Sequence, residues 1–237
     1  IGIDYEMIVH SQAQSFRKYP VVVMQDGKKH LKLMEWGIVT NYMDTPEKLK
    51  KLRNSHCNAR SEKIIDDKRS IWHNIRKQRC LIPVTGIMEH REVKGFKNKI
   101  PYHVWLKERK MFCIPGLYNY STNWADKETG EIIPTYTLVT RAANSRMMQI
   151  HNSGDQAFRM PLFLPKELEM KWLDPNLTDT EIKDILAFEM PSEMLEYSPV
   201  WTIRTTKERP DGKEKLAPFE WDNLPPLGVD SIEQNLF

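Results

Sequence analysis

The chain has 237 residues and a mass of 28.0 kDa, with 40% apolar, 28% charged and 10% aromatic residues. That size and apolar content suffice for a hydrophobic core without staples, which excludes disordered and fibrous classes, and no uncharged apolar run approaches the roughly 18 to 20 residues of a bilayer span, so no membrane partner is expected. Thirty-five Lys and Arg against 32 Asp and Glu leave a net charge of +3, which permits a basic patch without demanding a nucleic-acid partner.

Cys57, Cys80 and Cys113 form no C-x-x-C pair and no ladder of spacings, so the expectation is a reducing compartment and buried thiols. The seven histidines are scattered, and none pairs with another at a metal-ligand spacing around a carboxylate, so no metal site and no cofactor are expected. The first residue is Ile1 rather than Met; the expectation is that residues precede it, which leaves a targeting segment open.

No repeat or low-complexity linker divides the sequence, which predicts a single domain over 1–237 with a Pro-rich tail, 210–237, running over the surface. Val21 to Met24 is a β-branched run closed by the Asp26-Gly27 turn, and apolar character resumes from Leu31 to Val39 around Trp36. Thr45 and Pro46 predict an N-cap and first helical position for a short basic helix reaching about Arg53. Ser70 opens a second helical stretch with Ile71, Trp72 and Ile75 on one side. From Cys80 to Thr140 the pattern predicts strands over 81–93, 100–106, 111–117 and 134–140, spaced closely enough for an antiparallel meander. Helices follow over about 144–151 and 165–173, and a third begins at the Thr178-Asp179-Thr180-Glu181 capping box. Val200 to Thr205 is expected as a closing strand. The fold class expected is α+β: a curved antiparallel β-sheet or barrel-like core flanked by helices.

Four segments could carry chemistry. In Asn58-Ala59-Arg60-Ser61-Glu62, alternation puts Asn, Arg and Glu on one face of an extended segment. There Arg60 suits phosphate and Asn58 suits an amine or carbonyl, although a surface Arg–Glu pair fits the same residues. Glu89 ends an apolar run from Leu81, where desolvation would raise a carboxyl toward acid–base use; on the wet face of an alternating strand it would do nothing. Asn144 reads as an N-cap with His151 at the far end of its helix, a place that favours the imidazolium with or without catalysis. Trp36-Gly37 offers either a base-stacking indole or a core tryptophan.

In this order and at these separations, Trp36-Gly37, Asn58-Ala59-Arg60-Ser61-Glu62, Arg79-Cys80-Leu81-Ile82-Pro83 leading to Gly86 and Glu89, and Ile150-His151 with Arg159-Met160-Pro161 resemble the SOS-response-associated peptidase (SRAP) family of abasic-site processing proteins. The resemblance runs from about Val21 to Leu173. It implies a nucleophilic Cys directly after the initiator Met, freed when the protein removes that Met itself. The α-amine and thiol of this Cys close onto the ring-opened aldehyde of an abasic site in single-stranded DNA and leave a thiazolidine. The chemistry is sound: an α-amine with a pKa of roughly 7.7 to 8.0 is partly neutral near pH 7, and the tethered thiol traps the imine by five-membered ring closure. By resemblance Asn58 positions the amine, Glu89 shuttles protons and His151 acts on the sugar. Arg60 holds a phosphate, with Lys68 or Arg69 as a second contact, and Trp36 and Arg159 complete the DNA surface. A monomer working on DNA in the cytoplasm or nucleoid, with protease, lyase and crosslinking activities, is the corresponding expectation.

Four features depart from the family pattern. No Cys lies at or near Ile1, so the nucleophile is expected from residues upstream; a member without crosslinking chemistry is the alternative. Val39-Thr40 follow Gly37 where the family places Pro. Met88 and His90 flank Glu89 where aromatics are usual, and Asn152 to Phe158 separate His151 from Arg159-Met160-Pro161. Two other functions fit the residues: a peptidase using Cys57 or Cys80 with His151 as base, and a non-catalytic single-stranded DNA-binding module.

Overall fold

The computed structural model describes residue 5, residues 8–204 and residues 208–229. In chain order the strands and helices are β1 (Lys18–Gln25), β2 (Lys28–Trp36), α1 (Pro46–Leu52), β3 (Asn58–Arg60), α2 (Ile71–Asn74), β4 (Arg79–Val84), β5 (Ile87–Arg91), β6 (Ile100–Leu106), β7 (Phe112–Asn119) and β8 (Thr135–Ala142), followed by α3 (Ser145–Ile150), β9 (Arg159–Pro161), α4 (Lys166–Trp172), α5 (Asp179–Ala187) and β10 (Leu195–Pro199). This is an α+β chain, as its patterning predicts. Among the described residues no helix is long and apolar enough to cross a membrane. The residues fall into two compact units. The first comprises 1–84, 113–141 and 161–190; the second comprises 85–112, 142–160 and 191–237.

The first unit is built on the large sheet, in which β2, β1, β4, β7, β8 and β3 follow one another. Its opening hairpin pairs β1 with β2 from Lys18↔Glu35 to Gln25↔Lys28. Asp26 and Gly27 both take positive φ, 51° and 70°, the backbone that a two-residue turn needs to match strand twist. The sheet curls until β2 meets β8 in parallel over only Glu35↔Thr135 and Trp36↔Tyr136. That short seam leaves a curved sheet and not a closed barrel. β3 also runs parallel to β8, so the sheet is mixed where an antiparallel meander was expected. Parallel pairing of β3 joins residues about eighty positions apart, which local spacing cannot announce.

Helices cover this sheet with apolar stripes. Trp172, Ile182, Ile185 and Leu186 join Ile38, Ala59, Leu117, Val139 and Leu164 in one buried cluster. Trp172 is fully buried, and its indole N–H is shared between the carbonyls of Cys80 (3.1 Å) and Gly116 (3.2 Å). The helix ends are capped where the sequence predicts: Thr45 accepts from the Lys48 amide, and Thr178 and Glu181 form the reciprocal capping box. The Ser70-capped helix α2 is a single turn of four residues.

The second unit holds an antiparallel sheet ordered β10, β6, β5. The run 81–93, read as one strand, is two strands in different sheets, broken at Thr85-Gly86. Gly86 is required there because a β-carbon would collide with the His103 imidazole and approach the Val104 carbonyl oxygen at 2.9 Å. The closing strand is Leu195–Pro199 rather than Val200 to Thr205. Val200 makes only an isolated bridge to Pro218, and Thr205 lies outside the described residues, as do 230–237 of the expected tail.

Candidate functional site

In the first unit, β3 has the alternation that its composition predicts. Ala59 is fully buried while Asn58 and Arg60 are exposed, so the amide and the guanidinium point to the same side. Strand β3 is held against β8 by the register Asn58↔Leu138, Ala59↔Val139 and Arg60↔Thr140. Lys68 and Arg69 are exposed on the turn before α2.

Trp36 ends β2. Its indole N–H donates to the Cys57 carbonyl at 2.8 Å, one residue before Asn58, and its ring stacks on Tyr136 with centroids 5.9 Å apart and planes 21° apart. This ties the Trp-Gly segment to the Asn-x-Arg segment directly. A second tie, which the sequence did not announce, is Arg53. Its guanidinium is buried between the rings of Phe16 (4.2 Å) and Trp124 (4.7 Å). It donates to Glu35 at 2.6 Å and to the Gly37 carbonyl at 3.3 Å. Gly37 has φ 91°, and a β-carbon there would press on Arg53 and Phe16 at 3.2 Å. The only hint in the sequence is a Glu beside Trp36 and an Arg in a basic helix, and neither says that they meet.

In the second unit Glu89 lies at the centre of β5 opposite Tyr102 of β6. His151 is the C-cap of α3, the helix that packs beside β5 and is capped at its start by Asn144, whose side chain accepts from the Met147 amide at 3.0 Å. These two elements bring His151 Nδ1 to 3.9 Å from Glu89 Oε2, with 19% of the imidazole and 22% of the carboxyl side chain exposed. Desolvation raises the Glu89 pKa; His151 and Arg204 pull against it. The ring is also oriented by its backbone, since Nδ1 lies 2.8 Å from the Arg159 carbonyl oxygen. A carbonyl only accepts, so Nδ1 carries a proton, and in the neutral ring the lone pair falls on Nε2. The chain after His151 is fixed by a reciprocal pair: Asn152 accepts from the Glu92 amide at 2.8 Å and donates to its carbonyl at 2.9 Å.

Glu89 and His151 are thus brought together within one unit, with Arg159 contributing a main-chain oxygen to the same imidazole. Asn58, Arg60, Trp36, Lys68 and Arg69 belong to the other unit and share its β2, β3 and pre-α2 segments. Cys57 and Cys80 are poorly placed as nucleophiles. Cys57 is buried and its thiol is pushed up to about 11, while full burial drives Cys80 up further. Burial thus disfavours the thiolate of both, which argues against a peptidase built on Cys57 or Cys80.

A curved mixed sheet and a carboxyl–imidazole pair held between a strand and a helix C-terminus are the frame on which the chain's relationships can be judged. The chain belongs to the SOS response associated peptidase (SRAP) family, whose pattern matches residues 8–203. Among its relatives, the abasic site processing protein YoqW of Bacillus subtilis is 30% identical over 162 residues, which is 68% of this chain and 65% of YoqW. The abasic site processing protein YobE of the same organism is 27% identical over 189 residues, 79% of each chain. The chicken (Gallus gallus) abasic site processing protein HMCES is 24% identical over 86% of this chain and 62% of its own. This chain therefore spans slightly under two thirds of the length of YoqW and HMCES. A crystal structure of a Bacteroides thetaiotaomicron protein matches with a TM-score of 0.70 at 30% identity, covering 88% of this chain and 82% of that one.

Proposed function

We propose that this protein recognises abasic sites in single-stranded DNA and links itself to them covalently, through a Cys freed at the amino terminus of the full-length protein by its own removal of the initiator Met. The observation that carries the reading is the Glu89–His151 pair at 3.9 Å; the names of the relatives supply the substrate class. The amine adds to the ring-opened aldehyde, and the carbinolamine loses water to give an imine. The thiol then adds to the imine carbon, so one water leaves overall. A carboxyl whose pKa burial raises is suited to deliver a proton to the departing hydroxyl. In the neutral ring the Nε2 of His151, turned away from the Nδ1 contact with the Arg159 carbonyl, suits proton removal when the sugar ring opens. Asn58 orients the amine, and Arg60 takes a phosphate, with Lys68, Arg69, Arg159 and Trp36 as further DNA contacts, the protein working as a monomer.

The test is incubation of the full-length protein with a single-stranded oligonucleotide carrying one abasic site. A heat-stable adduct is expected, one water lighter than the sum of its parts. Glu89→Gln and His151→Gln should each slow adduct formation by roughly 10²- to 10⁴-fold. Absence of any adduct defeats the covalent reading. Reversible, salt-sensitive binding without an adduct instead marks a single-strand binding module, and failure to bind at low salt defeats both.

A further inference from the structure

The pair does not stand on β5 and α3 alone. Arg91, two residues after Glu89 on the same face of β5, is fully buried. Its guanidinium donates to the Tyr102 hydroxyl at 2.9 Å, to the Pro225 carbonyl at 2.8 Å and to the Pro226 carbonyl at 2.9 Å. Tyr102 is the residue across from Glu89 on β6. The segment 208–229 therefore grips the strand that carries Glu89 through a side chain that is expensive to bury unless its donors are matched. The same segment reaches the other element: a β-carbon on Gly228 would stand 3.7 Å from the Gln149 side-chain oxygen, two residues before His151 on α3.

This segment has its own anchors. Trp221 stacks on Trp201 with centroids 5.2 Å apart and planes 17° apart, and it donates to the Val200 carbonyl at 3.1 Å. The Phe219 amide donates to the Pro199 carbonyl at 2.9 Å, at the end of β10. Buried Arg209 binds Asp211 through two nitrogens, at 2.8 and 2.7 Å, and donates to the carbonyls of Ala217 and Pro218. Its residues lie beyond 8–203, the span that matches the family.

We propose that segment 208–229 is a positioning strap for the Glu89–His151 pair, with Arg91 as the positioning residue through which it acts. Arg91 fixes the register and pitch of β5 at Glu89 from one side, and the Gly228 end lies against α3 from the other. Loosening the strap changes the separation of carboxyl and imidazole without altering either group. The inference rests on the reading of that pair as the reacting groups, but its decisive measurement needs no DNA.

The experiment compares the full-length protein with Arg91→Met and Trp221→Ala. His151 is titrated by its imidazole proton resonances, assigned by their loss in His151→Gln, and adduct formation on abasic single-stranded DNA is timed in parallel. A strap that positions the pair predicts a displaced His151 titration midpoint in both variants. It also predicts a fall of roughly 10- to 100-fold in the adduct rate, as misplacement of about an ångström gives, with DNA affinity kept. Folded variants with a His151 titration and rate like those of the parent would overturn the proposal. Should Trp221→Ala fail to fold, Trp221→Phe removes the indole N–H bond while keeping an aromatic ring against Trp201, and Arg91→Lys keeps the charge while losing the multiple grip. Arg91→Lys is expected to recover part of the midpoint and rate. If the parent protein forms no adduct at all, the functional reading falls, and the titration alone still decides whether the strap holds the pair.

Discussion

The two units put apolar burial and buried guanidinium bonds to different ends. The first is an apolar assembly: a curved sheet and two helices closed over Trp172, Ile182, Leu164 and their neighbours, nearly all fully buried. The second is a three-stranded sheet with buried apolar residues of its own, Val104, Phe112 and Ile150 among them, to which polar ties fasten the C-terminal segment. Arg91 and Arg209 are both buried and both spend their guanidinium donors on main-chain oxygens of the C-terminal segment. Apolar burial is strong but indifferent to direction, whereas a forked guanidinium fixes angles. Buried Arg53 and Arg79 make such bonds within the first unit as well, but in the second Arg91 uses them on the strand that carries Glu89, whose carboxyl lies 3.9 Å from the His151 imidazole.

The contrast can be broken at its apolar end first. Trp172→Ala removes a fully buried ring and orphans the carbonyls of Cys80 and Gly116. It should cost about 3 to 5 kcal/mol in denaturant unfolding, with no displacement of the His151 titration if the second unit's ties are its own. At the polar end, Glu89→Gln should do the opposite to stability. Because the folded pKa of Glu89 is raised, the folded state holds its proton more tightly than the unfolded chain does, and Glu89 costs stability above the ordinary carboxyl pKa of roughly 4.3. The variant should therefore melt at a higher temperature than the parent near pH 7. That advantage should vanish below about pH 4, where both states are protonated. A parent that melts higher at pH 7 would contradict the burial of the carboxylate.

Smaller changes sharpen the same picture. Thr178→Ala removes the capping box of α5 and should cost about 1 kcal/mol in thermal unfolding, again without effect on the imidazole. Arg60→Ala leaves the buried Ala59 beside it in place. It should weaken single-stranded DNA binding similarly for all sequences and reduce the salt slope by about one, measured by fluorescence anisotropy at several salt concentrations.

How much of this could be read in the sequence depends on how local each cause is. Ile100–Leu106, the Thr178 box and the Thr45-Pro46 start are set by neighbours a few residues away, and all fall where the pattern puts them. The break at Gly86 was missed because the obstacle is His103, seventeen residues on, and Thr-Gly without charge or proline is a faint turn signal. Val200 to Thr205 drew attention through β-branched content, yet the strand is Leu195–Pro199, whose alternation of buried Leu195 and Ser198 with exposed Glu196 is irregular. At the site, Glu89 and His151 are legible through the order and separations of the motifs that resemble the family, since a carboxyl after an apolar run or a histidine at a helix end says little by itself. The grips of Arg53 on Glu35 and of Arg91 on Pro225 and Pro226 did not, since an arginine's spacing says nothing about where its long side chain finds acceptors.

The seven residues from Asn152 to Phe158 separate His151 from Arg159. The Phe158 amide returns to the His151 carbonyl at 2.8 Å, and Nδ1 of the same histidine meets the Arg159 carbonyl at 2.8 Å. The excursion leaves and rejoins the chain at one residue, like a bight of rope, with a second hitch at Asn152 on Glu92. Because closing a longer bight costs entropy only logarithmically, relatives could lengthen, shorten or rewrite the stretch beyond Asn152. Evolution can remodel what the excursion touches while the imidazole keeps its tautomer and its aim.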